Sequence, residues 1–187
     1  IACPDQKLFE SDIARAAPPG EGVVRITLTR GVGPRGYAAP ADARPTRIVS
    51  AGALPAHAHA TELRVRVCEL RLAGQPRLAG IKHLNRLENV LARAEWNDPA
   101  IAEGLLADAS GALVCAVAAN VFLLIDGELV TPALDQCGVA GVARARLLAA
   151  VPCRVERIAL AELARADEIF LTNSVAGLRR VAVLDES

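Results

Sequence analysis

The chain of 187 residues contains no methionine, only 3% aromatic residues, and just two lysines, Lys7 and Lys82, against nineteen arginines. Methionine is missing even from position 1, and Ile1-Ala2-Cys3-Pro4 reads as a loop, so the expectation is a segment of a longer natural chain. With so few aromatics, a core must be built from aliphatic side chains. No apolar run reaches the roughly 18 residues that a membrane-spanning helix needs. The 21 basic and 21 acidic residues cancel, and no basic block stands out, which argues against nucleic acid as a partner. The five cysteines (Cys3, Cys68, Cys115, Cys137 and Cys153) are odd in number and include no CxxC pair. Neither a disulfide framework nor a zinc site is indicated, and reduced thiols in a cytoplasmic protein without a signal peptide are expected. His57, His59 and His83 are too scattered to form a metal site, so no metal is expected.

What is present is a largely apolar chain, 52% hydrophobic, able to bury a sizeable core. Residues 5–17 show helical spacing that Pro18-Pro19-Gly20 ends. Residues 22–29 alternate Val24, Ile26 and Leu28 against Arg25, Thr27 and Thr29, the pattern of a half-buried strand. A glycine-rich turn, Arg30 to Tyr37, separates it from a second strand at 46–50. Leu54-Pro55-Ala56-His57 reads as a crossing between two units. A strand is expected at 63–70, then a helix over 83–95 with Leu84, Leu87, Val90, Leu91 and Ala94 on one face. Short strands follow at 103–107, 113–116, 121–125 and 128–131, with Asp126-Gly127 as a hairpin turn. A helix at 141–150, a strand at 153–158, a short helix at 160–166 and strands at 168–172 and 181–184 complete the pattern. Hairpins mixed with interspersed helices indicate an α+β fold.

Four places can carry chemistry. Lys82 lies where an apolar stretch gives way to a helical pattern, and it is expected to be enclosed. A lysine can lose its charge when buried and become a nucleophile or base, which arginine cannot. Gly138-Val139-Ala140-Gly141 opens directly into a helix, a geometry that suits either a phosphate cradle or an ordinary turn. Thr172-Asn173-Ser174 ends an apolar strand and suits an anion, a turn or a cap. Arg35 and Tyr37, in the glycine-rich turn, could grip a carboxylate or simply be solvated. An imine-forming lysine with phosphate cradles is the combination that a pyridoxal phosphate (PLP) enzyme needs.

The chain resembles the fold type IV PLP enzymes, the class IV aminotransferase-like family, and within them the 4-amino-4-deoxychorismate lyases. The resemblance is carried by Thr29 to Tyr37, Leu78 to Glu88 with its Lys-His-Leu-Asn-Arg-Leu-Glu run, Ala118-Ala119-Asn120-Val121-Phe122, Thr131-Pro132 with Gly138 to Arg144, and Asp167 to Ser174. It implies two α/β domains: residues 1–53 as the remainder of a small N-terminal domain and 54–187 as a large PLP-binding domain. It implies Lys82 as the imine-forming residue and proton shuttle. It also implies a phosphate held at Gly138, Val139 and Ala140 with Thr172 and Asn173, and a substrate carboxylate at Arg35 and Tyr37. The implied activity is elimination of pyruvate from 4-amino-4-deoxychorismate to give 4-aminobenzoate, for folate synthesis, by a homodimer. The alternatives are an aminotransferase of the same fold acting on D-amino or branched-chain amino acids, and a non-catalytic relative that has lost PLP.

Two departures from the family pattern stand out. A histidine-arginine helix motif, whose arginine helps to hold the phosphate, normally precedes the segment at residue 1. Second, Cys115 stands where the family places a glutamate against the pyridine nitrogen, and a thiol is a weak partner for that nitrogen.

Overall fold

The computed structural model describes residues 4–185, which fall into two compact units on either side of Ala56 and His57. In the first unit, helix α1 (Gln6–Ala16) precedes an antiparallel hairpin of β1 (Val23–Thr29) and β2 (Thr46–Gly52). The Asp5 carboxylate caps α1 by accepting the Lys7 N–H at 3.0 Å, and Pro18 follows its end. Asp12 is the buried polar anchor of this unit. It accepts from Arg47 Nε on β2 at 2.7 Å and from Arg15 at 2.5 Å. These two guanidinium groups, Arg47 foremost, hold its carboxyl below the usual carboxylate range despite its burial.

The second unit is one nine-stranded mixed sheet. Its strands are β3 (Glu62–Leu72), β4 (Ile101–Asp108), β5 (Ala112–Ala116), β6 (Asn120–Ile125), β7 (Glu128–Pro132), β8 (Arg154–Glu156), β9 (Ile158–Ala159), β10 (Glu168–Asn173) and β11 (Gly177–Asp185). They run in the order β8-β7-β6-β10-β11-β3-β4-β5-β9. β8 lies at one edge and β9 at the other, yet only Arg157 separates them in the chain. The two edges therefore come close together where the chain passes from β8 to β9, and the sheet curls round on itself. The single strand expected at 153–158 is thus two short strands serving opposite edges.

Alternation along the strands fills the inside of this wall with Leu63, Val65, Leu105, Val121, Leu123, Leu171 and Val181. Such an aliphatic interior is what a chain poor in aromatics must build. Asp126 and Gly127, both with positive φ (53° and 78°), make the tight turn between β6 and β7 as their sequence predicts. On the outside lie helix α2 (Leu87–Arg93) and helix α3 (Val142–Ala150).

α2 differs from expectation in length and in orientation. It starts only at Leu87, and Leu84, Leu87, Val90 and Leu91 are exposed, while Ala92 is buried. The cause is polar. A register shift between β3 and β4 interrupts the ladder after Val67, and Glu95 accepts the Glu69 and Leu70 N–H groups, each at 2.8 Å. Glu88 similarly accepts the Ala73 N–H at 2.8 Å. Satisfying otherwise orphaned amides fixes which side of the helix faces the sheet, and the leucine stripe turns outward.

Candidate active site

Lys82 sits in an irregular segment just before α2, and it is exposed, not enclosed as its apolar surroundings in sequence suggested. Its backbone is nonetheless well held. Arg86 donates from Nη2 to the Ile81 carbonyl at 2.6 Å and from Nε to the His83 carbonyl at 3.1 Å, clamping the chain on both sides of Lys82. Two residues upstream, Gly80 forms a parallel bridge with Val139. In it, the Gly80 N–H donates to the Gly138 carbonyl at 3.1 Å, and the Ala140 N–H donates to the Gly80 carbonyl at 3.0 Å. The lysine loop and the glycine-rich turn are thus one unit of backbone.

That turn is in turn fastened to the sheet by Asn120, at the start of β6. Its Nδ2 donates to the Val139 carbonyl at 2.8 Å, and its Oδ1 accepts the Gly141 N–H at 3.1 Å. A Cβ at Gly141 would overlap the Asn120 side chain, and Gly138, at φ 86°, would place a Cβ 2.8 Å from Val114. Only glycine permits this close approach. β6 pairs with β10 so that Asn120 lies opposite Thr172. The register therefore brings Lys82, the 138–141 turn and the Thr172-Asn173 strand end to one rim of the second unit.

The backbone N–H groups left open at this turn differ in part from those that the sequence suggested. The Ala140 N–H is already spent on Gly80. The first bond within α3 runs from the Ala145 N–H to the Gly141 carbonyl at 2.9 Å, so the amides of Val142, Ala143 and Arg144 have no partner within the helix. Asn173 is likewise committed: its Oδ1 accepts the Val175 and Ala176 N–H groups, and its Nδ2 donates to the Ala118 carbonyl at 3.2 Å. It shapes the turn after β10 and does not present a free amide. Thr172 is buried beside it on the strand. Asn120 and Arg86 are the fastening residues that reading the sequence by local pattern missed. Asn120 reaches Val139 and Gly141, about 20 residues on, and Arg86 folds back on its own loop, while the Gly80–Val139 bridge joins segments 59 residues apart.

Cys115, on β5, is buried against Leu106 and Val114 among Cys68, Ala92 and Trp96. Burial pushes its thiol up to about 12, with Cys137 and Glu103 adding in the same direction, so it stays protonated at neutral pH. Cys137, just before the turn, is pushed up to about 11, again chiefly by burial. Arg35 and Tyr37 lie in the loop between β1 and β2 of the first unit, where both side chains are exposed. Among the described residues no group of three His, Cys, Asp or Glu side chains could hold a metal ion, and no helix is long and apolar enough to cross a membrane.

A primary amine, a row of free helix-start amides and a glycine-lined approach fit a phosphorylated aldehyde cofactor. The model of the amino-transferase class IV family matches residues 8–184. The chain belongs to the class IV amino-transferase family. The crystal structure of 4-amino-4-deoxychorismate lyase from Pseudomonas aeruginosa is 47% identical and superimposes with a TM-score of 0.91, covering 100% of this chain and 72% of that one. An aminodeoxychorismate lyase from Vibrio harveyi is 35% identical over 85% of this chain and 62% of its own length. A putative branched-chain-amino-acid aminotransferase from Methanocaldococcus jannaschii is 28% identical over 88% of this chain and 59% of its own length. The chain spans about three-fifths of the length of these two curated relatives.

Proposed function

We propose that this protein is a PLP-dependent lyase that converts 4-amino-4-deoxychorismate to 4-aminobenzoate and pyruvate for folate synthesis, working in the cytoplasm as a homodimer. The observation that supports the reading is the bridge between Gly80 and Val139, which ties the loop carrying Lys82 to the turn that opens α3. In this reading residues 1–53 are the remainder of a small domain and 54–187 the large cofactor domain. Lys82 holds the cofactor covalently. The amides of Val142 and Ala143, with Thr172, hold its phosphate, and Gly138 to Ala140 shape the approach. Arg35 and Tyr37 take a substrate carboxylate.

When bound, PLP supplies the electron sink. The chain's own part in the reaction is proton movement and placement. The Lys82 amine, once released from the cofactor, takes the proton from the amine-bearing ring carbon. The carbon–oxygen bond to the side chain then breaks, the ring becomes aromatic, and the departing enolpyruvate takes back the proton from Lys82 at its methylene carbon to give pyruvate. Every atom of the substrate is thereby accounted for in the two products. The aminotransferase reading is disfavoured by Cys115. If this residue faces the pyridine nitrogen, a thiol pushed up to about 12 offers no anion to keep that nitrogen protonated. Transamination needs that support more than an elimination driven by aromatisation. The exposed stripe of Leu84, Leu87, Val90 and Leu91 supports the homodimer, because an apolar patch of this kind on a helix is commonly covered by a partner.

The test is product analysis. Purified protein with PLP and 4-amino-4-deoxychorismate is expected to give 4-aminobenzoate and pyruvate in equal amounts with no amino acceptor present. Turnover only when a 2-oxo acid is added would favour the aminotransferase instead.

A further inference from the structure

Arg144 is the third residue of α3 and it is buried, 9% exposed. Its Nη2 donates to the Pro132 carbonyl at 3.0 Å and its Nε to the Thr131 hydroxyl at 3.3 Å. The Thr131 hydroxyl in turn donates to the Val121 carbonyl at 2.7 Å, so the arginine is tied through β7 to β6. All of these acceptors are neutral. Among the described residues no carboxylate pairs with Arg144, although guanidinium groups elsewhere in the chain, such as Arg47 and Arg157, meet carboxylates. Burial works against its charge, but a guanidinium does not give up its proton at ordinary pH. A buried, uncompensated cation is costly to keep. This one lies in the first turn of α3, next to the amides of Val142 and Ala143 that have no partner within the helix, and side chains on a helix lean back toward its N-terminus.

From this placement we infer that Arg144 is a positioning residue for the cofactor phosphate: it pins the start of α3 to β7 and supplies a buried positive charge that selects a doubly charged phosphoryl group at the helix start. The inference rests on the reading that α3 opens on the phosphate. The phosphate is the counter-charge that Arg144 lacks within the chain. The residue touches no reacting atom, so its effect should appear in cofactor affinity and in discrimination between PLP and its phosphate-free analogue, pyridoxal.

The experiment is a titration of the cofactor-free, full-length protein with PLP and, separately, with pyridoxal, followed by absorbance and intrinsic fluorescence. Arg144→Gln keeps a hydrogen-bond donor and removes the charge. Arg144→Lys keeps the charge and removes the fork. The Gln variant is expected to bind PLP roughly tenfold or more weakly, the order of effect of removing one nearby charge, with pyridoxal affinity within about twofold of wild type. The Lys variant is expected to stay within about threefold for PLP. PLP affinity unchanged in the Gln variant, or PLP and pyridoxal weakened equally, would overturn the inference. If the Gln variant does not fold, a tenfold loss of PLP affinity in the Lys variant overturns it alone. A wild-type protein with no preference for PLP over pyridoxal would instead sink the underlying phosphate assignment.

Discussion

The two units of this chain are held together in opposite ways. The first, a helix on a two-stranded hairpin, turns on one buried carboxylate, Asp12, shared between Arg15 and Arg47. The second curls nine strands around an aliphatic core cluster, and its buried charges, Glu103, Asp108, Arg144 and Arg179, lie outside that cluster. A two-stranded hairpin cannot bury enough apolar surface to stand by itself, so polar anchoring does more of the work. A curled nine-stranded sheet buries its core by itself, and it leaves the rim free to carry groups that add nothing to stability. Lys82 is such a group: exposed at the rim, with its backbone fixed by Arg86 and by the Gly80–Val139 bridge.

The sharpest way to break this comparison is to separate chemistry from stability in the second unit. Lys82→Ala should lower product formation by roughly 10²–10⁴-fold, the worth of a positioned acid–base group, while the melting temperature of the cofactor-free protein stays the same. A large loss of stability would mean that the rim and the core are not independent. Leu105→Ala should do the reverse. It opens a cavity inside the wall and should cost about 2–5 kcal/mol of unfolding free energy in denaturant titrations.

Arg86→Met tests the clamp between core and rim. Removing its bonds to the carbonyls of Ile81 and His83 should leave folding nearly unchanged and slow product formation about tenfold or more, because a misplaced amine reacts poorly. Cys115→Glu probes the buried face beneath the rim. If that position faces the pyridine nitrogen, the bound cofactor's absorbance and its pH titration should both shift. An unchanged spectrum would remove Cys115 from the site.

The smallest effect belongs to the first unit. Because the Asp12 carboxyl is held below its ordinary value, 3.8, its contribution to stability is fully present above that pH. It is lost as pH falls below 3.8 through the lowered folded value. Asp12→Asn should flatten the acid limb of the unfolding curve without touching the neutral-pH core of the second unit. An acid limb unchanged by the substitution would count against polar anchoring.

The local elements were legible in the sequence because they rest on local rules. Alternation marks β1 and β3, Asp126-Gly127 marks its hairpin, and the turn at Gly138–Gly141 marks the start of α3. What was not legible depends on residues far apart in the chain. No pattern within 153–158 reveals that its two halves pair with β7 and β5 at opposite edges. The leucine stripe of α2 reads as a core face, but Glu95 captures the Glu69 and Leu70 amides where the β3 ladder is interrupted, and Glu88 the Ala73 amide just past β3, and together they turn it outward. At the site, Lys82 and the glycine turn could be named from residue type and from the resemblance, whereas the engaged Ala140 amide and the clamp by Arg86 could not. Both depend on where Gly80 is bridged and how the loop folds back, which spacing alone does not encode.

The account stands or falls on Lys82 as the covalent anchor, and the chain offers a clean test because Lys7 is its one other lysine. Protein loaded with PLP is reduced with borohydride, digested, and mapped by mass spectrometry for the pyridoxyl adduct. The account predicts a single stoichiometric adduct on Lys82, abolished in Lys82→Ala. An adduct on Lys7, or none in wild-type protein saturated with PLP, would contradict it.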